Sequence, residues 1–176
     1  PGIRFTTRYG FLGINAFDIK DAFVDGFNEK GLSLSALMYT GAVYQRAVPG
    51  KFINLDNFST WVLGCFSSVD EVKAAMTTVN VYAGTIKKIK DMGLHVAISD
   101  ISGKSIVIEF IRGNANIYDN PIGVMTNRPS FDWQMTNLRN YVHLDRNDRR
   151  PKNLSGVKIE STGVGSGMLG LPGDWT

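Results

Sequence analysis

Two apolar runs face each other across a turn between Leu94 and Ile111, and they restrict the fold more than any other stretch. Leu94-His95-Val96-Ala97-Ile98-Ser99 and Ser105-Ile106-Val107-Ile108-Glu109-Phe110-Ile111 flank the turn Asp100 to Gly103. β-Branched and aromatic residues on both sides of a turn cluster predict a β-hairpin. A second turn at Arg112-Gly113-Asn114 leads to Ala115-Asn116-Ile117-Tyr118, which extends the hairpin into an antiparallel meander. The preceding chain supplies cover for one face. Leu55, Phe58, Val62 and Cys65 recur at helical spacing, and Ser68 followed by Glu71 is a capping box opening a second helix striped by Val69, Val72, Met76 and Val79. Tandem helices on an antiparallel sheet define an α+β domain.

The remaining elements fit the same class. Thr6 to Phe17 reads as an extended segment, and Asp25 to Gly31 as a turn cluster with Gly26 and Gly31 free to take positive φ. It feeds a strand over Leu32 to Tyr39. Ala47 to Lys51 is a loop. Ile122-Gly123-Val124-Met125 reads as an apolar run leading out of the meander, and Thr126-Asn127 leave it just before Arg128-Pro129. The residue before a proline is pushed out of helical geometry, so this run is expected to stop there as a strand. Phe131, Met135, Leu138 and Val142 then predict a third helix to about Tyr141.

Composition narrows the function classes. The 176 residues are 43% hydrophobic, enough for a core without staples, and the whole chain, 1–176, is expected to form a single domain. Lys and Arg number 19 against 16 Asp and Glu, a balance of +3 that is too weak and dispersed to imply nucleic acid or an acidic membrane. The local basic cluster Lys87, Lys88 and Lys90 lacks an aromatic platform and reads as a solvated face. A single cysteine, Cys65, excludes an internal disulfide framework, agrees with a reducing cytoplasmic compartment and offers no zinc site. No run is long and apolar enough for a membrane span. The sequons at Asn57 and Asn153 matter only on a secretory route, of which there is no sign. No cofactor is implied. Gly165-Ser166-Gly167-Met168-Leu169-Gly170 formally matches a dinucleotide fingerprint but lacks the preceding strand, the following helix and the acidic partner.

Two positions offer chemistry. Asn127, projecting from a strand end, could donate two N–H bonds to a developing oxyanion, or could simply cap a turn. His95, on an otherwise apolar strand with no identifiable Ser or Cys partner, reads as a structural histidine. Pattern alone reaches no complete catalytic set.

Several stretches, taken in order, are similar to the choloylglycine hydrolase family, which groups bile salt hydrolases with penicillin V acylases. They are Asp25-Gly26-Phe27-Asn28-Glu29-Lys30-Gly31-Leu32; Leu94-His95 through Ser99 to Glu109; Ile122 to Trp133; and Leu169-Gly170-Leu171-Pro172-Gly173-Asp174-Trp175-Thr176. The resemblance implies an N-terminal-nucleophile (Ntn) hydrolase of four-layer αββα architecture, incomplete at both ends. It implies a bacterial homotetramer that cleaves a small-molecule amide, either penicillin V or a conjugated bile salt, without cofactor or metal. Family chemistry uses a cysteine at the mature N-terminus, whose α-amine is the base. The asparagine of the family's Thr-Asn-x-Pro corner falls on Asn127 as oxyanion donor, and the substrate pocket falls on Met38 and Tyr39.

Departures from the family pattern matter as much. Pro1 begins the chain and Cys65 lies in a predicted helix, so the nucleophile is expected outside these residues, and an internal fragment of this kind should be inactive alone. Arg128 stands where a small serine is common. Met38 matches neither the asparagine common in bile salt hydrolases nor the aromatic common in penicillin V acylases and makes an apolar, adaptable wall, while Tyr39, Met125 and the Asn137-Leu138-Arg139 helix read toward the acylase branch. A truncated paralogue or assembly subunit of the same fold is the alternative, with Tyr141 to Gly167 reaching a neighbouring subunit. An N-terminal proline base of the tautomerase kind at Pro1 is a third reading, for which no surrounding repeat is present.

Overall fold

The structure is a computed structural model that describes residues 1–15, 22–84, 91, 93–142 and 150–160. Backbone contacts group the chain into two units, Pro1–Phe131 and Asp132–Thr176.

The first unit is built on a six-stranded, wholly antiparallel sheet. Its strands are β1 (Phe11–Asn15), β2 (Phe23–Asn28), β3 (Ser33–Met38), β6 (Leu94–Ser99), β7 (Ser105–Ile111) and β8 (Asn114–Asp119), in the order β1-β2-β3-β6-β7-β8. Between β3 and β6 the chain makes β4 (Phe52–Asn54), α1 (Leu55–Cys65), α2 (Val69–Ala75) and β5 (Asn80–Tyr82). The expected meander is β6-β7-β8, with register Val96↔Ile108 and Ile108↔Ile117. Both expected helices are present. Ser68 caps α2, its hydroxyl accepting from the Glu71 N–H at 3.3 Å, while the Glu71 carboxylate accepts from Ser67 N–H at 2.7 Å.

Side chains alternate across a strand, and this places two different surfaces on the same sheet. Leu34, Val96, Ile98, Ile106, Ile108 and Phe110 join Phe58, Val62, Leu63, Val69 and Val72 of the helices in one core. Ser35, Leu37, His95, Ala97, Val107 and Glu109 therefore point the other way.

Two glycines have steric explanations rather than a turn to make. Asp25 to Asn28 is strand, not turn: Gly26 lies under α1, where an added Cβ would meet Leu12 O at 2.6 Å and Leu63 Cδ1 at 2.8 Å. The real turn is confined to Glu29–Gly31, with Gly31 at φ +79°. It is held by Asn28, whose Oδ1 accepts from the N–H groups of Lys30 and Leu32, each at 3.0 Å. Gly93 approaches the end of β3 so closely that a Cβ there would sit 2.0 Å from Tyr39 O.

Other expectations are corrected. The segment after β8 carries no strand: Asn120, Pro121 and Gly123 (φ +69°) take the chain off the sheet, and Ile122 and Val124 are exposed. Proline has no N–H for a ladder and the positive φ breaks extension, so apolar character alone misleads. Of the segment expected over Thr6 to Phe17, Phe11–Asn15 is the strand β1, Thr6 to Gly10 lies outside any strand with the Arg8 and Tyr9 N–H groups donating to Gly64 O at 2.7 and 3.1 Å, and residues 16 and 17 lie outside the described residues. The parallel pair β4–β5 has no signal in strands this short.

In the second unit, α3 (Phe131–Leu138) begins on the last residue of the first and passes into a 3₁₀ turn over Arg139–Tyr141, as expected. A fully exposed hairpin, β9 (Lys152–Leu154) with β10 (Val157–Ile159), has no clear signal in the sequence. The Lys87-Lys88-Lys90 cluster, the glycine-rich segment from Gly163 and the Leu169–Thr176 block lie outside the described residues.

Candidate active site

The end of β3 and the corner 120–130 meet at Asn127. Met38 N–H donates to Asn127 Oδ1 at 3.1 Å, and Arg128 Nη1 donates to Thr40 Oγ1 at 2.6 Å. The Arg128–Pro129 peptide bond is cis. A backbone N–H can bond only the oxygen of the amide, so the Met38 contact fixes which way the Asn127 side chain faces. Its Nδ2 then has both N–H groups available, with no acceptor among the described residues, and Asn127 is exposed. A neutral donor that is oriented, accessible and not titratable is what stabilisation of a developing oxyanion requires.

Of the expected site residues, the structure joins Asn127 and Met38 directly. Met38 is 54% exposed beside the amide. Tyr39 is buried: its N–H donates to Gly93 O at 2.6 Å and its ring stacks on His95, with centroids 5.1 Å apart and planes at 17°.

Sequence reasoning misses Glu109. His95 and Glu109 are both fully buried, and His95 Nδ1 lies 2.9 Å from Glu109 Oε1. The Val96↔Ile108 register, continued by one step, puts the two opposite each other on the face away from α1 and α2. The same Oε1 accepts from the Phe131 N–H at 2.8 Å, where α3 begins just after the corner. A signal does exist: a carboxylate inside an apolar strand, across the hairpin from the one histidine of the neighbouring strand.

Cys65 sits elsewhere, at the end of α1 and in the helix-side core. Burial pushes its thiol up from the usual value, against a smaller opposing effect of Arg8, and its Sγ contacts Thr6 O at 3.6 Å. A protonated, enclosed thiol is a poor nucleophile. A separate hollow of about 350 Å³ is lined by Asp70, Lys73, Lys104, Asp119 and Asn120, with Lys73–Asp119 and Lys104–Asp70 paired across it. Neither Asn127 nor Met38 lines it. Among the described residues no group of three or more His, Cys, Asp or Glu could hold a metal, and no helix is long and apolar enough to cross a membrane.

An antiparallel sheet with helices packed on one face is one half of a layered α+β sandwich. Comparison with known proteins makes this specific. The model of the family described as linear amide C–N hydrolases, choloylglycine hydrolase family, matches residues 3–176, and the chain belongs to that family. It is 44% identical to a bile salt hydrolase/transferase of Clostridium perfringens, over 98% of this chain and 54% of that protein. It is 31% identical to a penicillin V acylase of Pectobacterium atrosepticum, over 76% of this chain and 38% of that one. A crystal structure of a conjugated bile acid hydrolase variant from Clostridium perfringens superimposes with a TM-score of 0.83 at 43% identity, covering 98% of this chain and 54% of that one. The fold is therefore the αββα sandwich of Ntn hydrolases, and the chain spans about half the length of the curated relatives it matches.

Proposed function

We propose that these residues form the oxyanion-binding part of an enzyme that hydrolyses linear amides, with its thiol nucleophile supplied from outside them. The observation that carries the reading is the oriented, accessible amide of Asn127, in a chain of this family. A cysteine whose own α-amine takes the thiol proton attacks the carbonyl carbon; the π pair moves onto oxygen, where Asn127 Nδ2–H donates to it. Collapse breaks the C–N bond, the amine leaves with the proton held by the α-ammonium, and water then hydrolyses the thioester to return the thiol. Cys65, buried in α1, takes no part.

The substrate class is a glycine- or taurine-conjugated bile salt, favoured by the higher identity to the bile salt hydrolase along nearly the whole chain. Penicillin V is the second reading, favoured by Met38, which offers an apolar wall without an amide donor. The enzyme is read as a bacterial, cytoplasmic homotetramer, and 1–176 as part of one domain. An inactive assembly subunit of the same fold is the alternative.

The complete protein is expected to turn over one of these substrate classes, and the 176 residues alone neither. Turnover by the 176 residues alone, or none by the complete protein, overturns the proposal. Met38→Asn in the complete protein is expected to move kcat/KM toward bile salts by about tenfold relative to penicillin V; an unchanged ratio removes Met38 as a selector.

A further inference from the structure

We infer that the buried His95–Glu109 pair is a positioning device for the oxyanion donor, an inference that rests on the amidase reading and extends it to two residues outside the corner. The contacts close a ring. Asn127 Oδ1 accepts from Met38 N–H at 3.1 Å; Met38 is joined to Tyr39, whose ring lies on His95; His95 Nδ1 is 2.9 Å from Glu109 Oε1; and that oxygen accepts from Phe131 N–H at 2.8 Å. From Phe131 the chain runs back through Ser130, Pro129 and Arg128 to Asn127. One carboxylate oxygen therefore anchors both supports of the amide, the strand end that bonds its oxygen and the backbone that carries its Cα.

Stability alone gives no account of this pair. His95 Nε2 and Glu109 Oε2 are enclosed without a hydrogen-bond partner among the described residues, and apolar side chains of like volume would avoid that cost. Around the pair this sheet face carries Ser35, Leu37, Ala97 and Val107, with Asn116 opposite Glu109 in register. What a carboxylate supplies at position 109 and a leucine cannot is an acceptor for the Phe131 N–H. Oxyanion stabilisation depends on donor placement within a few tenths of an ångström, so loosening the corner reaches catalysis through Asn127 rather than through substrate affinity.

The test is a double-mutant cycle in the complete protein, with kcat and KM counted per folded molecule on whichever amide the parent enzyme hydrolyses faster. Glu109→Ala is expected to lower kcat by about 10- to 100-fold with KM changed less than about threefold. Glu109→Gln, which keeps an acceptor for Phe131 N–H, is expected to recover kcat to within about fivefold of the parent. In the Asn127→Ala background, adding Glu109→Ala is expected to cost less than about twofold more, because the donor it positions is gone. An equal loss in both backgrounds, a loss confined to KM, or no recovery by Gln overturns the inference and leaves Glu109 a structural residue. If Glu109→Ala does not accumulate as folded protein, Glu109→Asp, whose shorter side chain withdraws the carboxylate, goes through the same cycle with the same criteria. A parent protein that hydrolyses neither substrate class overturns the amidase reading instead, before any variant is compared.

Discussion

Asn28 closes β2 and Asn127 lies in the strandless corner that follows β8, and their amides are used in opposite ways. Asn28 is 2% exposed, and both halves of its amide are engaged: Nδ2 donates to Leu63 O at 2.8 Å and Phe66 O at 2.7 Å, while Oδ1 accepts from Lys30 and Leu32. It ties the β2–β3 turn to the end of α1. Asn127 is exposed and engages only its oxygen, through Met38 N–H. A fully bonded buried amide is a fastening, whereas one held by its oxygen keeps its donors open, as the proposed oxyanion role requires. The two residues share a side chain, so the difference lies in what the fold brings to each.

Substitutions that separate stability from turnover can break this contrast. The largest loss of stability is expected from Asn28→Ala, about 2–4 kcal/mol for four hydrogen bonds in a buried setting, with kcat per folded molecule unchanged. Chemical denaturation beside a kinetic assay checks it, and a fall in kcat would mean that Asn28 also reaches the site.

A smaller effect, about 1 kcal/mol, is expected from Asp100→Ala, because Asp100 Oδ2 accepts from Val69 N–H at 2.8 Å at the first residue of α2. Partial burial pushes the Asp100 carboxyl up. That is outweighed by the Ser102 hydroxyl and the N–H groups of Val69, Ser102 and Lys104, which together hold it below the ordinary 3.8. A depressed folded pKa contributes stability above the unfolded value, and that stability is lost as pH falls through the folded one. Parent and Asp100→Ala curves should therefore converge below about pH 4 and separate above it; a constant gap would show that charge on Asp100 is irrelevant.

The smallest effect belongs to Cys65. Cys65→Ala is expected to leave kcat within about twofold, and the thiol to resist alkylation in the folded protein, because burial disfavours its thiolate. Rapid labelling under native conditions, or loss of activity in the variant, would return Cys65 to consideration as a nucleophile.

Much of the architecture is legible in the sequence. The β6–β7–β8 meander, the α1 stripe, the Ser68–Glu71 cap and the start of α3 each rest on local periodicity or on one capping pair, which tertiary contacts only reinforce. The errors share a cause. Gly26 reads as a turn residue because the pressure on it comes from Leu63, 37 positions away, and Ile122 to Met125 read as strand when apolar composition is allowed to outweigh Pro121 and Gly123. At the site, the Thr126-Asn127-Arg128-Pro129 corner is visible as a motif, and so is Met38. The bond between them spans 89 positions and the Glu109–Phe131 bond 22. Neither distance in sequence carries a local signal, so the amide's orientation and the role of Glu109 become visible only in the fold.

The most direct test of the account is Asn127→Ala in the complete protein, with kcat, KM and thermal stability measured together. The predicted result is a fall in kcat of about 10²- to 10³-fold, with KM changed less than about threefold and Tm within about 2 °C of the parent, because one exposed hydrogen bond is lost from the fold and one oxyanion donor from the reaction. A kcat within about threefold of the parent, or a loss explained by unfolding, would contradict the claim that this amide is the chain's contribution to catalysis.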